Sequence, residues 1–156
     1  MIKKSMIQYS LLMRVLGVVY LAAGAGFFFF PAETFYLINV GPKVFKMFQD
    51  VPESTERFWL VLTFSMMMML SFIAFYSSFQ PKNYALALVH LLSKLISTLG
   101  FVYVFFNSAP LFAYIVGAAT DGTIFLVVLV ATIRVMAAGS EKMVEEPTVE
   151  TNTPHA

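Results

Sequence analysis

The stretch Tyr84–Met136, YALALVHLLSKLISTLGFVYVFFNSAPLFAYIVGAATDGTIFLVVLVATIRVM, decides the fold. It is apolar almost throughout and is broken by Asn107-Ser108-Ala109-Pro110. Crossing about 30 Å of hydrocarbon takes roughly 20 helical residues, and the segments on either side of the break, 84–106 and 110–136, are each long enough. A turn this short makes the two helices antiparallel neighbours. Lys94 stands 14 residues before Ser108, and Asp121 stands 13 residues after it. At about 1.5 Å per residue, both charges lie roughly 20 Å from the turn, near mid-span. A lone charge at the centre of a spanning helix costs about 2.5–3.5 kcal/mol. A Lys94–Asp121 pair is therefore expected.

Working outward, two more apolar runs precede the hairpin. The first is 7–30, ending before Pro31, and the second is 53–78, closed by the turn Gln80-Pro81-Lys82-Asn83. Asp50-Val-Pro-Glu53 supplies a capping residue, an early proline and an acid for the start of the second span. Trp59, Tyr76, Tyr84 and Tyr114 lie near span ends, where amphipathic rings favour the interface. The first run follows Lys3-Lys4, as a signal peptide would, but its apolar stretch continues through Phe27–Phe30. A retained helix is expected.

The expected fold is thus all-α, an integral membrane bundle of four transmembrane helices in one domain, 1–138. A polar, acidic tail, 139–156, follows. Its glutamates and prolines predict disorder. A mean hydropathy of +0.78 and a charged fraction of 12% agree with lipid as the solvent, since soluble domains carry roughly a quarter charged residues. With the N-terminus inside, Lys3, Lys4, Arg14, Lys82, Arg134 and Lys142 collect on the cytoplasmic side. Lys43, Lys46 and Arg57 fall on the other side, in a loop that also holds four acids. The positive-inside rule then places both termini in the cytoplasm, in the cell (inner) membrane. In the loop 31–52, the run Pro42–Asp50 reads as a short amphipathic helix with Val44, Phe45 and Phe48 on its apolar side. It either covers the outer end of the bundle or docks a partner.

Composition also bounds function. Net charge is +1, with no basic block beyond Lys3-Lys4, so nucleic acid is not an expected partner. The chain has no cysteine, which removes disulfide exchange, iron–sulfur ligation and thiolate catalysis. Of its two histidines, His155 is in the tail, so one copy does not supply a bis-histidine haem site from its spans. No metal or other cofactor is expected. His90 lies one turn before Lys94 and Ser97 lies three residues after it, giving a polar stripe that faces Asp121. The cluster His90, Lys94, Ser97 and Asp121 is the candidate site. It reads either as a register-fixing pair with a satisfied histidine or as a proton-carrying device. In the inner half, Arg14, Lys94 and Arg134 stand against Asp121 alone, which leaves both arginines without an acidic partner. They read as snorkelling to headgroups or as contacts for an anionic lipid or ligand.

The run Met66–Met69 covers all sides of a helical turn and reads as soft filling, and Phe27–Phe30 reads as lipid-facing bulk. Gly17, Gly24 and Gly26 in the first helix, with Gly117 and Gly122 in the fourth, permit close backbone approach.

The stretch Arg14-Val-Leu-Gly17-Val-Val-Tyr-Leu-Ala-Ala-Gly24, opening a chain of four short spans, resembles the start of DoxX-like membrane proteins. The chain departs from that pattern where the family tends to place a lysine after the glycine. Beyond Glu53 and Glu56 at its start, the second span also lacks an acidic residue. The resemblance implies a small four-helix bundle, associated in some members with quinol-oxidising complexes. The expected function is a non-catalytic subunit of a larger membrane assembly, or a bundle contacting lipid or quinone, with self-association also open. The alternative is a small proton-coupled carrier using His90, Lys94 and Asp121, although no inverted repeat or broken helix supports it.

Overall fold

The computed structural model of the chain describes residues 2–46, 48–52, 57–108 and 110–145. Six helices form among them: α1 (Ile2–Phe29), α2 (Pro31–Ile38), α3 (Val40–Phe45), α4 (Arg57–Phe79), α5 (Tyr84–Asn107) and α6 (Phe112–Glu145). Four segments are long and apolar enough to cross a membrane: Lys4–Phe29, Arg57–Phe79, Tyr84–Asn107 and Phe112–Ala138. The chain is all-α, with helices compatible with a four-span bundle. The capping sequence expected for the second span runs into residues 53–56, which lie outside the described residues.

The tail differs from expectation in its first part. Gly139–Glu145 continues α6 as helix. Extending an existing helix needs no new nucleus, and Glu, Lys and Met are good helix formers. Residues 146–156 lie outside the described residues.

The loop after α1 is also more ordered than a single short helix. Pro31 lacks an N–H and cannot continue α1, so the chain bends at Phe30 (φ −131°, ψ 54°) and restarts with Pro31 at the head of α2. The helix expected over Pro42–Asp50 instead occupies Val40–Phe45. Lys46 ends it in the left-handed region (φ 54°), with its N–H donated to the Pro42 carbonyl at 2.8 Å. Gln49 then forms a bridge with Leu111 at the start of α6. The Asn39 carboxamide clamps Val51 both ways, donating to its carbonyl at 2.9 Å and accepting from its N–H at 2.8 Å. Phe45 and Phe48 each pack with ring centroids 5.5 Å from Phe112. Helices α2 and α3 thus form a fixed cap over one end of the bundle. The other end, where α1 begins and residues 80–83 turn, is here called the terminal end.

Helix α1 packs most extensively on α4, and α5 on α6; α1 and α6 join the two pairs, while α4 and α5 barely touch despite their tight turn. Hydrophobicity supplies little drive between helices in lipid, so close fit decides such seams. Gly17 faces the Phe75 ring, and a Cβ at Gly24 would stand 2.8 Å from that of Met67. Ser71 donates from Oγ to the Gly17 carbonyl at 2.8 Å. The core consists of Tyr9, Met13, Leu16 and Tyr20 of α1, spaced by three and four, against Leu70, Ala74, Ala87, Leu91, Val128 and Val135. All of these lie between the terminal end and the level of Tyr20.

Two apolar runs sort by face. Of the methionines, Met67 packs on the core while Met66, Met68 and Met69 are exposed. Phe28, Phe29 and Phe30 are exposed as expected, but Phe27 is not lipid-facing bulk: it is half-buried and lines two internal cavities. At 3.6 residues per turn a four-residue run surrounds the helix, so one member must face inward.

Candidate functional site: a polar cluster at the floor of a lateral cleft

Lys94 lies on the buried face of α5 with Ala87, His90 and Leu91, at the spacing that puts all four on one side of a helix. Asp121 lies on the facing side of α6. The Lys94 Nζ donates to Asp121 Oδ1 at 2.7 Å, with side-chain exposures of 4% and 14% respectively. The less buried member, Asp121, is therefore the one that reaches toward open space. Ser97, one turn along α5, donates from Oγ to Asp121 Oδ2 at 2.5 Å. Both carboxylate oxygens are thus engaged. Thr98 Oγ1 donates back to the Lys94 carbonyl at 2.7 Å.

On its other side the ammonium sits 4.7 Å from the centre of the Tyr20 ring, a cation–π arrangement. The Tyr20 hydroxyl and His90 Nε2 share a hydrogen bond of 3.1 Å. His90 is fully buried, and its Nδ1 meets no hydrogen-bond partner among the described residues. The structure therefore brings together all four sequence-predicted members, but His90 joins through Tyr20 rather than directly.

Tyr20 was not among the residues singled out from the sequence. Its signal was present. Trp59, Tyr76, Tyr84 and Tyr114 stand near span ends, whereas Tyr20 sits deep inside an apolar run, in phase with Tyr9, Met13 and Leu16. A buried phenol needs a hydrogen-bond partner, and that requirement points across the bundle. Tyr9 follows the same rule: its hydroxyl and Ser77 Oγ lie 2.6 Å apart, one layer nearer the terminal end.

The thin contact between α4 and α5 leaves a cleft of 720 Å³ whose floor includes Lys94, Ser97 and Asp121. Met66, Met67 and Leu70 of α4 form one wall, and Ser93 and Ile96 of α5 form the other. Met66 and Ile96 are both more than half exposed, so the mouth opens sideways, between helices. His90 does not line this space.

Arg14 and Arg134 stand apart from the cluster, on two separate grooves of the terminal half. The Arg14 groove (580 Å³) includes Met6, Ser10, Phe79 and Pro81. The Arg134 groove (500 Å³) includes Ser5, Gln8, Leu12 and Val130. Side chains on a helix lean toward its N-terminus. Accordingly, Arg14 lies over the Phe79 ring at 5.4 Å, near the terminal end of α4. Among the described residues no group of three or more His, Cys, Asp or Glu side chains could hold a metal ion.

No family model matches the chain, and no curated protein or solved structure is significantly similar to it.

Proposed function

We propose that this chain is a non-catalytic, multi-pass protein of the cell (inner) membrane that takes a membrane-soluble amphiphile, a lipid or quinone-type molecule, into the cleft between α4 and α5. The observation that carries this reading is the placement of Lys94, Ser97 and Asp121 at the floor of a mainly apolar cleft that opens sideways. Such a space, apolar with a few convergent polar groups, is the usual form of a small-molecule site. With both Asp121 oxygens engaged, the cluster is suited to holding a hydrogen-bonding head rather than to relaying protons. Burial of His90 behind the Tyr20 hydroxyl, away from the cleft, weighs against the proton-coupled carrier.

The same reading places both termini in the cytoplasm, on the distribution of lysine and arginine. The terminal-end grooves then lie at the inner leaflet, and Arg14 and Arg134 contact its anionic headgroups. The DoxX-like resemblance of residues 14–24 supports a place beside a larger redox assembly, with this chain as a subunit.

The test is mass spectrometry of lipids and proteins that remain with the chain after gentle extraction from its own membrane. A stoichiometric amphiphile is expected in the wild type and is expected to be lost on Met66→Trp, which closes the mouth without touching the polar cluster. An amphiphile retained unchanged in that variant, or none in the wild type, sinks the proposal.

A further inference from the structure

A second cavity, of 600 Å³, lies beneath the cap, and Phe27, Phe101 and Gly117 line both it and the cleft. Its remaining walls are apolar side chains of the cap and of the start of α6, among them Leu37, Ile38, Val40, Phe112 and Val116. From Asp121 to Phe112 is nine residues of α6, about 14 Å of helix. The two spaces meet at Phe27, Phe101 and Gly117. A Cβ at Gly117 would stand 2.8 Å from the Phe101 ring, so a side chain there would displace that ring where the two spaces meet.

Resting on the cleft reading above, we infer that cleft and capped chamber form one site for a single-chain amphiphile with an uncharged, hydrogen-bonding head. The head lies at Lys94, Ser97 and Asp121, and the chain runs past Gly117 to end under α2 and α3. The charge pair at the floor disfavours an ionic head. Lys94 and Asp121 cancel, so an added carboxylate meets the Asp121 charge, an added ammonium meets Lys94, and either must be desolvated without a counter-ion. A hydroxyl instead donates to Ser97 Oγ, whose own hydrogen goes to Asp121, and a hydroxyl or carbonyl oxygen accepts from Ser93 or Thr120, which share the wall. Directed toward the cap end of the bundle, that chain needs a cover against water. The cap, clamped at Asn39–Val51 and bridged at Gln49–Leu111, lies over that end and covers the chain in part.

The test uses the full chain in phosphatidylcholine nanodiscs with hexadecanol and hexanol, each carrying a photoactivatable diazirine at the chain terminus. The hexadecyl probe is expected to label the cap wall, residues 37–41 and 112–116, in a saturable manner. The hexyl probe is expected to label the cleft near Met67 and Ser97. Gly117→Leu is expected to weaken hexadecanol by about tenfold while changing hexanol by less than about twofold. Val40→Trp, which fills the chamber from the cap and leaves the helix seams alone, is expected to do the same. Hexadecanoate and hexadecylamine are expected to compete at least about tenfold more weakly than hexadecanol. Saturable cleft labelling without cap labelling, or loss of both probes to the same degree in both variants, overturns the chain path and leaves the cleft reading standing. Tighter competition by either ion overturns the neutral head. No saturable labelling by either probe overturns the cleft reading and this inference with it.

Discussion

The two halves of the bundle are built on different principles. In the terminal half, side chains fill the centre of the bundle and leave only the Arg14 and Arg134 grooves on its outside: Tyr9, Met13 and Val128 are nearly or fully inaccessible, and hydroxyls of Tyr9, Ser71, Ser77 and Thr132 find partners across or along helices. In the cap half two open cavities lie between the elements, one bordered by α1, α4, α5 and α6 and the other by α1, the cap, α5 and α6. The Lys94–Asp121 pair marks the border. The packed core of one half provides rigidity and the open spaces of the other provide room, and a charge pair at their junction gives the room a polar floor.

The sharpest way to break this comparison is at the border. Lys94→Met or Asp121→Leu alone is expected to destabilise the protein by about 3–5 kcal/mol, since each leaves a buried charge unpaired. The double change K94M/D121L is expected to cost far less than the sum. Unfolding in mixed micelles measures this, and additive losses would mean the two residues are not a pair. Next in size is a direct contrast of the halves. Met13→Ala is expected to cost about 2–5 kcal/mol by opening a void in a close-packed layer. Val116→Ala, beside an existing cavity, is expected to cost much less. Equal losses would erase the distinction between halves.

The seam between α1 and α4 allows a finer test. Gly24→Ala drives a methyl against the Met67 Cβ and is expected to cost about 1–3 kcal/mol. Gly100→Ala meets nothing within 4 Å and is expected to stabilise α5 by up to about 1 kcal/mol. The smallest expected effect is Tyr9→Phe, about 1 kcal/mol, from loss of the hydrogen bond with Ser77. Suppression of that loss by Ser77→Ala in a double-mutant cycle would tie it to this contact.

Much of the plan was legible in residue order. Run length and hydropathy determined the four long helices, because a bilayer imposes one thickness on every span. The turn at 107–110 set Lys94 opposite Asp121, because a short hairpin fixes register by counting. The spans and their polar residues needed only local geometry. What the tertiary structure decided involves elements distant in sequence. Tyr20 meets His90 across 70 positions, and Ser71 meets Gly17 across 54. The cap also closes on Phe112 through Phe45 and Phe48, which a helix shorter than expected brings into place. The cleft beside Lys94 is the clearest case. It exists because α4 and α5, though joined by the tight turn at 80–83, diverge to pack on different partners. Connection length records which helices are tethered. The competition among their surfaces sets which ones touch, and so where the bundle stays open.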